Sequence, residues 1–146
     1  MKTTNVFVLF VLCLFGCSSD NESDFDLNLL YGQWFRVDLC QQENSLLLNE
    51  NGTFESFSSG SSICGDATRD VYKYTGTFSV EGNFYNQNTL TTELIYDAPN
   101  TPVNDFEPIN AQTEITELTG TNFRLETYII RENGVREIIE TSLYEK

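Results

Sequence analysis

The fold class follows from one stretch of the sequence, Asp70-Val71-Tyr72-Lys73-Tyr74-Thr75-Gly76-Thr77-Phe78-Ser79-Val80. Apolar and polar side chains alternate along almost its whole length. Strict alternation over this many residues is typical of a β-strand that buries one face. We therefore expect a sheet with one face turned towards a core. The apolar face carries Tyr72, Tyr74, Phe78 and Val80, and the polar face carries Lys73, Thr75, Thr77 and Ser79.

Turn residues follow this strand at short intervals in both directions. Glu81-Gly82-Asn83 separates it from a long threonine-rich run, and Glu132-Asn133-Gly134 is the clearest hairpin turn in the chain. Such turns between alternating segments predict antiparallel strands joined by tight loops. The eight predicted strands span residues 33–39, 45–49, 53–58, 70–80, 84–96, 109–118, 122–131 and 135–144.

The predicted sheet has to protect two edge strands. No amphipathic helix of useful length separates the strands, so neighbours in sequence are expected to pair in space. Closing the sheet removes its edges. The prediction is thus an all-β, eight-stranded antiparallel up-and-down barrel, wide enough for packed side chains or one small ligand. Asp26 is expected to cap a short helical turn before the first strand, and a two-sheet sandwich is the alternative fold.

The N-terminus has the features of an export signal. Met1 and Lys2 precede an apolar run over residues 6–15, which is too short to span a bilayer as a helix. The run ends at Leu14-Phe15-Gly16-Cys17, which resembles the lipobox of bacterial lipoproteins. The resemblance implies cleavage before Cys17 and lipidation of its thiol, with residues 1–16 as signal peptide. A secretory signal without lipid, or a core strand that ends in cysteine, is the alternative.

The residues after Cys17 suit a flexible tether. The run Ser18-Ser19-Asp20-Asn21-Glu22-Ser23-Asp24 is too polar to fold alone, so residues 17–24 are assigned as a lipidated tether and residues 25–146 as the barrel domain. Ser18 after the cysteine resembles lipoproteins sorted to the outer membrane, and the acidic residues resemble those displayed on the cell surface. The periplasmic and surface faces both stay open.

Charge limits the classes of partner. The 146 residues carry a formal net charge of −14. Nucleic acid would be repelled by this charge. A polybasic membrane-binding face is excluded as well, which leaves the covalent lipid as the expected membrane attachment.

Two cysteines remain for the folded domain. Cys13 lies in the signal and Cys17 is the lipidation site, so Cys40 and Cys64 form an even pair in an oxidising compartment. A disulfide is the default there, with a metal pair or a nucleophilic thiol as the alternative. The sequence contains no histidine and no second cysteine pair to complete a four-ligand zinc site. Zinc binding by Cys40 and Cys64 is therefore not expected.

The first strand carries a motif of a known family. Gly32-Gln33-Trp34, preceded by a short helical turn, resembles the start of the lipocalins, and residues 25–146 resemble the lipocalin-like domain of bacterial envelope lipoproteins. The resemblance implies that Gly32 and Trp34 close one end of the barrel. It further implies a late-strand arginine across the indole ring, for which Arg124 and Arg136 are the candidates.

Catalytic chemistry finds little support. Without histidine there is no imidazole base and no Ser-His-Asp or Cys-His arrangement. No segment has EF-hand spacing, although Asp97, Asp105 and Glu107 could hold calcium loosely at a loop. We expect a non-enzymatic protein with no cofactor and no dedicated metal site.

Two functions remain. The first is a barrel that binds a small hydrophobic or amphipathic molecule, and the second is a surface-displayed structural or interaction lipoprotein with a solid core. In the second case, the loops over residues 59–68 and 97–108 would contact other envelope proteins. Cavity volume discriminates the two. The candidate lining residues are Tyr72, Tyr74, Phe78, Phe123, Leu125 and Ile129.

Overall fold

The computed structural model describes residues 24–99 and 110–146. Its one helical element there is a 3-10 turn, Leu27–Leu30, and the carboxylate of Asp26 accepts a hydrogen bond from the backbone N–H of Asn28, as the predicted cap requires. No described helix is long and apolar enough to cross a bilayer. The eight strands are β1 Gly32–Arg36, β2 Ser45–Leu48, β3 Thr53–Ser58, β4 Val71–Glu81, β5 Phe84–Tyr96, β6 Gln112–Leu118, β7 Asn122–Ile130 and β8 Arg136–Glu145.

The predicted strands agree with these bounds to within one residue except at two places. β1 ends at Arg36 instead of residue 39, because Cys40 is drawn towards the loop between β3 and β4. Its backbone N–H donates to the carbonyl of Ser61 at 2.9 Å, and its sulfur is bonded to that of Cys64. β6 begins at Gln112 and not at residue 109, a position outside the described residues.

All eight strands belong to one antiparallel sheet. Each strand pairs with the next along the chain, and β8 pairs with β1 through Phe35 opposite Glu145 and Arg36 opposite Tyr144. The strand order therefore closes into a barrel, and the sandwich alternative is wrong.

The pairing around the barrel is uneven. β4 and β5 share eleven register pairs, from Val71 to Glu81 on β4. In the described chain, β5 and β6 share the single pair Phe84 and Glu114, and β1 and β8 share the two pairs given above. The barrel thus consists of a five-stranded block, β1 to β5, and a three-stranded block, β6 to β8. We call the two thin junctions the β5–β6 seam and the β1–β8 seam.

The apolar core fills the end of the barrel beside the helical turn. Trp34 is fully buried there, its ring centroid lies 5.3 Å from that of Phe123, and its Nε1–H donates to the carbonyl of Leu30 at 2.7 Å. Large buried side chains from both blocks complete the seal. They include Leu46, Leu48, Phe54, Tyr85, Ile115, Leu118 and Leu125.

At the opposite end of the barrel, a disulfide and a set of hydrogen bonds connect two loops on one side. The predicted disulfide between Cys40 and Cys64 is present and joins the β1–β2 loop to the β3–β4 loop. Asn44 lies beside it with only 2% of its surface exposed. Its Nδ2 donates to the carbonyl of Cys40 at 2.9 Å, and its Oδ1 accepts from the N–H groups of Ser59 and Gly60 at 3.0 Å. Because these groups satisfy one another, both loops are held in one arrangement.

Candidate functional site

A cavity of about 750 Å³ occupies the half of the barrel away from Trp34. Both blocks contribute to its wall. Strand register pairs Leu46 with Ser56 in one block and Leu125 with Ser142 in the other, on the inner face. The uncharged polar side chains of the inner wall are Ser56, Ser58, Gln87, Thr89, Thr113, Thr127 and Ser142, and the aromatic ones are Phe54, Tyr74, Tyr85 and Tyr144.

Arg36 is the cation of the cavity wall in the described chain. Its Nε and Nη2 donate to the two carboxylate oxygens of Asp38, each at 2.9 Å. Its Nη1 donates to Ser142 Oγ at 2.8 Å and to Glu140 Oε1 at 3.4 Å. Burial opposes its charge, yet the bonds and charge of Asp38 raise the pKa of Arg36 overall, and the Arg36 bond lowers the pKa of Asp38.

This arginine lies across the β1–β8 seam. Arg36 ends β1, whereas Glu140, Ser142 and Tyr144 belong to β8. The guanidinium carbon is 5.6 Å from the centroid of the Tyr144 ring. The cluster therefore adds side-chain contacts at a junction that has few backbone ones.

The cavity floor holds an unsatisfied hydroxyl. Tyr85 is 4% exposed, and its ring stacks on Phe78 and meets Phe123 edge to face. Its hydroxyl has no hydrogen-bond partner among the described residues. Burial raises the pKa of Tyr85, and burial likewise raises that of Tyr144. Both phenols therefore stay neutral and remain able to donate and to accept a hydrogen bond.

Of the predicted lining residues, only Tyr74 and Leu125 line the cavity. Phe123 is 1% exposed and Phe78 packs against the core cluster, so both belong to the seal below it. The hydroxyl of Tyr72 donates to Asp70 at 2.9 Å near the rim, and Ile129 is half-buried outside the lining. These four residues lie outside the cavity lining, because alternation identifies the inner face of a strand but not the depth at which a residue sits.

The predicted arginine partner of Trp34 is also wrong. Arg124 pairs with Glu126 at 3.1 Å, and Arg136 stacks at 3.7 Å from the ring centroid of Tyr128, both on the outer face. Lys146 lies over Trp34 instead, with Nζ at 4.4 Å from the ring centroid. The same Nζ donates to the carbonyl of Leu29 at 2.7 Å.

Sequence reasoning missed Arg36 and most of the polar wall. A signal was present, because Arg36 follows Trp34 by two residues and therefore shares its face. Ser56, Thr113 and Thr127 could have been found in the same way from Phe54, Ile115 and Leu125. The predicted lining instead consisted of aromatic and aliphatic residues, which suit a hydrophobic ligand.

The cavity extends to the β5–β6 seam. Phe84 and Asn86 on one side and Ala111 and Gln112 on the other contribute to its lining. Beyond Phe84, β5 pairs with β4 alone within the described ranges. The site therefore has a lateral boundary made of two strands that hardly pair.

Exposed apolar side chains concentrate on two hairpins at the cavity end. They lie on the last part of β5 and on both sides of the β7–β8 turn, where neighbouring strands leave them uncovered. The exposed residues are Leu90, Leu94, Ile95, Tyr96, Ile130, Val135, Ile138 and Ile139. Patches of this kind mark interaction surfaces when they are contiguous.

Several predicted features lie outside the described residues, namely the signal peptide, Cys17, the tether up to Ser23, and the loop carboxylates Asp105 and Glu107. In residues 24–99 and 110–146, no group of three or more Asp, Glu, Cys or His side chains is placed to hold a metal ion. The chain has no match among protein-family models, curated proteins or solved structures. The geometry of the cavity is therefore what bears on function.

Proposed function

We propose that this protein is a lipid-anchored envelope lipoprotein whose lipocalin-like barrel binds one small molecule in its cavity. The observation that carries the proposal is a cavity of about 750 Å³ above a sealed core. Ligand pockets of proteins span roughly 300–1,000 Å³. A barrel with a purely structural role gains more stability from filling such a space than from keeping it.

The lipocalin-like assignment draws support from the closed end of the barrel. Gly32 and Trp34 stand at the start of β1, the helical turn lies under them, and Lys146 takes the place of the expected cation across the indole. These are the parts that the Gly-x-Trp motif implies. The assignment covers residues 25–146.

The anchor draws support from sequence alone. Leu14-Phe15-Gly16-Cys17 and the polar run after it suit cleavage before Cys17, lipidation and a tether to the outer membrane. The barrel would then sit on the periplasmic or the cell-surface face of that membrane.

Binding is favoured over catalysis because the charged groups of the Arg36 cluster satisfy one another. Arg36, Asp38, Glu140 and Ser142 form one bonded cluster, and Thr113 bonds Thr127 at 3.0 Å. Such a network orients a ligand but offers no activated nucleophile. The mixed wall of hydroxyl groups and aromatic rings suits an amphipathic molecule better than a wholly apolar one.

A second candidate is the surface-displayed interaction lipoprotein. The exposed apolar side chains of the β4–β5 and β7–β8 hairpins favour it. The two functions are compatible, since none of these exposed side chains lines the cavity.

Native mass spectrometry tests the binding proposal. The chain from Asp20 to Lys146, which retains every strand, is purified without detergent and measured before and after denaturation. We expect an added mass of a few hundred daltons that denaturation releases. Ser56→Phe, which narrows the cavity with a bulky ring, should reduce or remove the added mass, and Ser79→Phe, the same change on the outer face of β4, should keep it. A bare wild-type chain, or equal retention by both variants, would count against a ligand in this cavity.

A further inference from the structure

We propose that the ligand is an uncharged molecule rich in hydroxyl groups, that is, a small saccharide or the end of a glycan. This inference rests on the proposed function, since it assumes that the cavity is the binding site. It departs from the hydrophobic ligand that the fold resemblance favours. Three properties of the cavity carry it.

The first property is the charge of the wall. Arg36 is its cation in the described chain, and Asp38, Glu140 and Ser142 already accept from four of its five N–H donors. Glu81 adds a further negative charge at the lateral boundary. A carboxylate or phosphate entering the cavity would meet acidic groups without a free cation to pair with, so anionic ligands, including ionised fatty acids, are disfavoured.

The second property is the chemistry of the inner wall. Ser56, Ser58, Thr89 and the bonded pair Thr113 and Thr127 present hydroxyl groups from both blocks, and Gln87 presents an amide. A hydroxyl both donates and accepts, as a sugar hydroxyl does. An alkyl chain would strip water from these groups and return no hydrogen bond, which is unfavourable. The hydroxyl groups of a saccharide would instead form hydrogen bonds to these groups in place of the water molecules.

The third property is the presence of ring faces among these hydroxyl groups. Phe54, Tyr74 and Tyr144 belong to the lining and come from three strands of the barrel. A sugar ring has a C–H-rich face and a polar rim, so it can bury the face on an aromatic ring while its hydroxyl groups bond the wall. The neutral phenol of Tyr85 at the floor adds a group that can donate and accept.

Two sources share this chemistry, a free saccharide and the terminal sugar of a longer glycan. The cavity reaches the β5–β6 seam through Phe84, Asn86 and Gln112, which gives a bound sugar a direction in which a glycan could continue. The experiment therefore includes a ligand of each kind.

Saturation-transfer NMR and thermal unfolding of the chain from Asp20 to Lys146 test the inference. The neutral probes are cellobiose, N,N′-diacetylchitobiose and mannobiose, the anion matched to cellobiose is cellobiouronate, and palmitate and spermidine represent apolar and cationic ligands. We expect at least one neutral disaccharide to saturate and to raise Tm, with cellobiouronate about tenfold weaker or more. Binding of the same disaccharide when coupled by its reducing end to a carrier indicates a glycan end, and binding of the free sugar alone indicates a small saccharide.

An isosteric pair of variants provides the control. Thr127→Val removes one wall hydroxyl without filling space and should weaken saccharide binding about tenfold, whereas Thr77→Val on the outer face of β4 should leave it unchanged. Binding of palmitate or spermidine that Ser56→Phe abolishes, with no disaccharide bound, would overturn this inference and leave the proposed function standing. If no probe binds, and the chain carries no added mass in native mass spectrometry, both this inference and the proposed function would be overturned.

Discussion

Gly76 should be the least replaceable residue of β4. It lies on the inner face of the strand, where β4 and β5 change register between Thr75 and Gly76. A Cβ built there would overlap the carbonyl oxygen of Asn88 on β5 and would lie 2.8 Å from Cε1 of Phe54. Phe54 is 2% exposed and packs within the core cluster, and the Asn88 carbonyl belongs to backbone that cannot turn aside as a side chain can. The substitution Gly76→Ala therefore has to push the β5 backbone away.

The size of the effect follows from two opposed terms. Overpacking of a core costs about 1–3 kcal/mol, and this clash belongs in the upper part of that range because it strikes backbone. Replacing glycine by alanine recovers only about 0.4–1 kcal/mol from the unfolded chain. We expect Gly76→Ala to lower the free energy of unfolding by about 2 kcal/mol or more. With a urea dependence of about 1–3 kcal/mol per molar, the midpoint should fall by roughly 1 M.

Urea unfolding followed by tryptophan fluorescence measures this change, since Trp34 is the sole tryptophan and is fully buried. Gly120→Ala is the matched control, because no atom lies within 4 Å of its Cβ position and its φ is not positive. The reasoning is refuted if Gly76→Ala unfolds at the same urea concentration as Gly120→Ala.

Three further changes test other parts of the molecule. Replacing Cys40 and Cys64 by serine should lower the free energy of unfolding by about 3–4 kcal/mol on the chain-entropy model, since the bridge spans 24 residues; urea unfolding measures it. Lys146→Met should cost about 1 kcal/mol by removing the cation from the Trp34 ring and a bond to the backbone. Burial raises the pKa of Tyr85 in the folded protein, so the unfolded chain releases this proton first as pH rises. The contribution of Tyr85 to the free energy of unfolding is therefore constant below pH 10 and falls above it. Tyr85→Phe should make the alkaline loss of stability less steep.

Each of these changes has an outcome that would contradict it. If the bridge stabilises the fold, the serine variant should be as stable as the reduced wild type and less stable than the oxidised wild type. Equal stability of the variant and the oxidised wild type would rule out a stabilising role for the bridge. For Lys146→Met the control is Lys73→Met, on the outer face beside Phe57, and equal losses would dismiss a special role for Lys146. For Tyr85→Phe, an alkaline slope identical to that of wild type would show that Tyr85 ionises freely.

Local patterns were enough to predict the strands and their order. Alternation placed Phe123 and Leu125 on the inner face, Asp26 capped its turn, and Gly134 formed the hairpin bend with φ of 77°. These features depend on residues close together in sequence, whose geometry is fixed by short-range sterics and hydrogen bonds.

The site depended on distances across the barrel that local patterns do not contain. Tyr74 and Phe78 share a face of β4, yet the first lines the cavity and the second lies in the core. The difference arises from the stagger of the strands, which sets the level at which each residue meets the opposite wall. Lys146 reaches Trp34 for the same reason, since β8 returns to β1 only when the barrel closes.

The two thin seams give the barrel a mechanical character. Among residues 24–99 and 110–146, few backbone bonds cross either seam, and each block has its own internal pairing. The amides at the seams should therefore exchange with solvent through partial opening events, well below the threshold for global unfolding. A molecule bound between the blocks touches both and would couple their movements, so that occupancy would suppress these partial openings and make the barrel unfold more cooperatively.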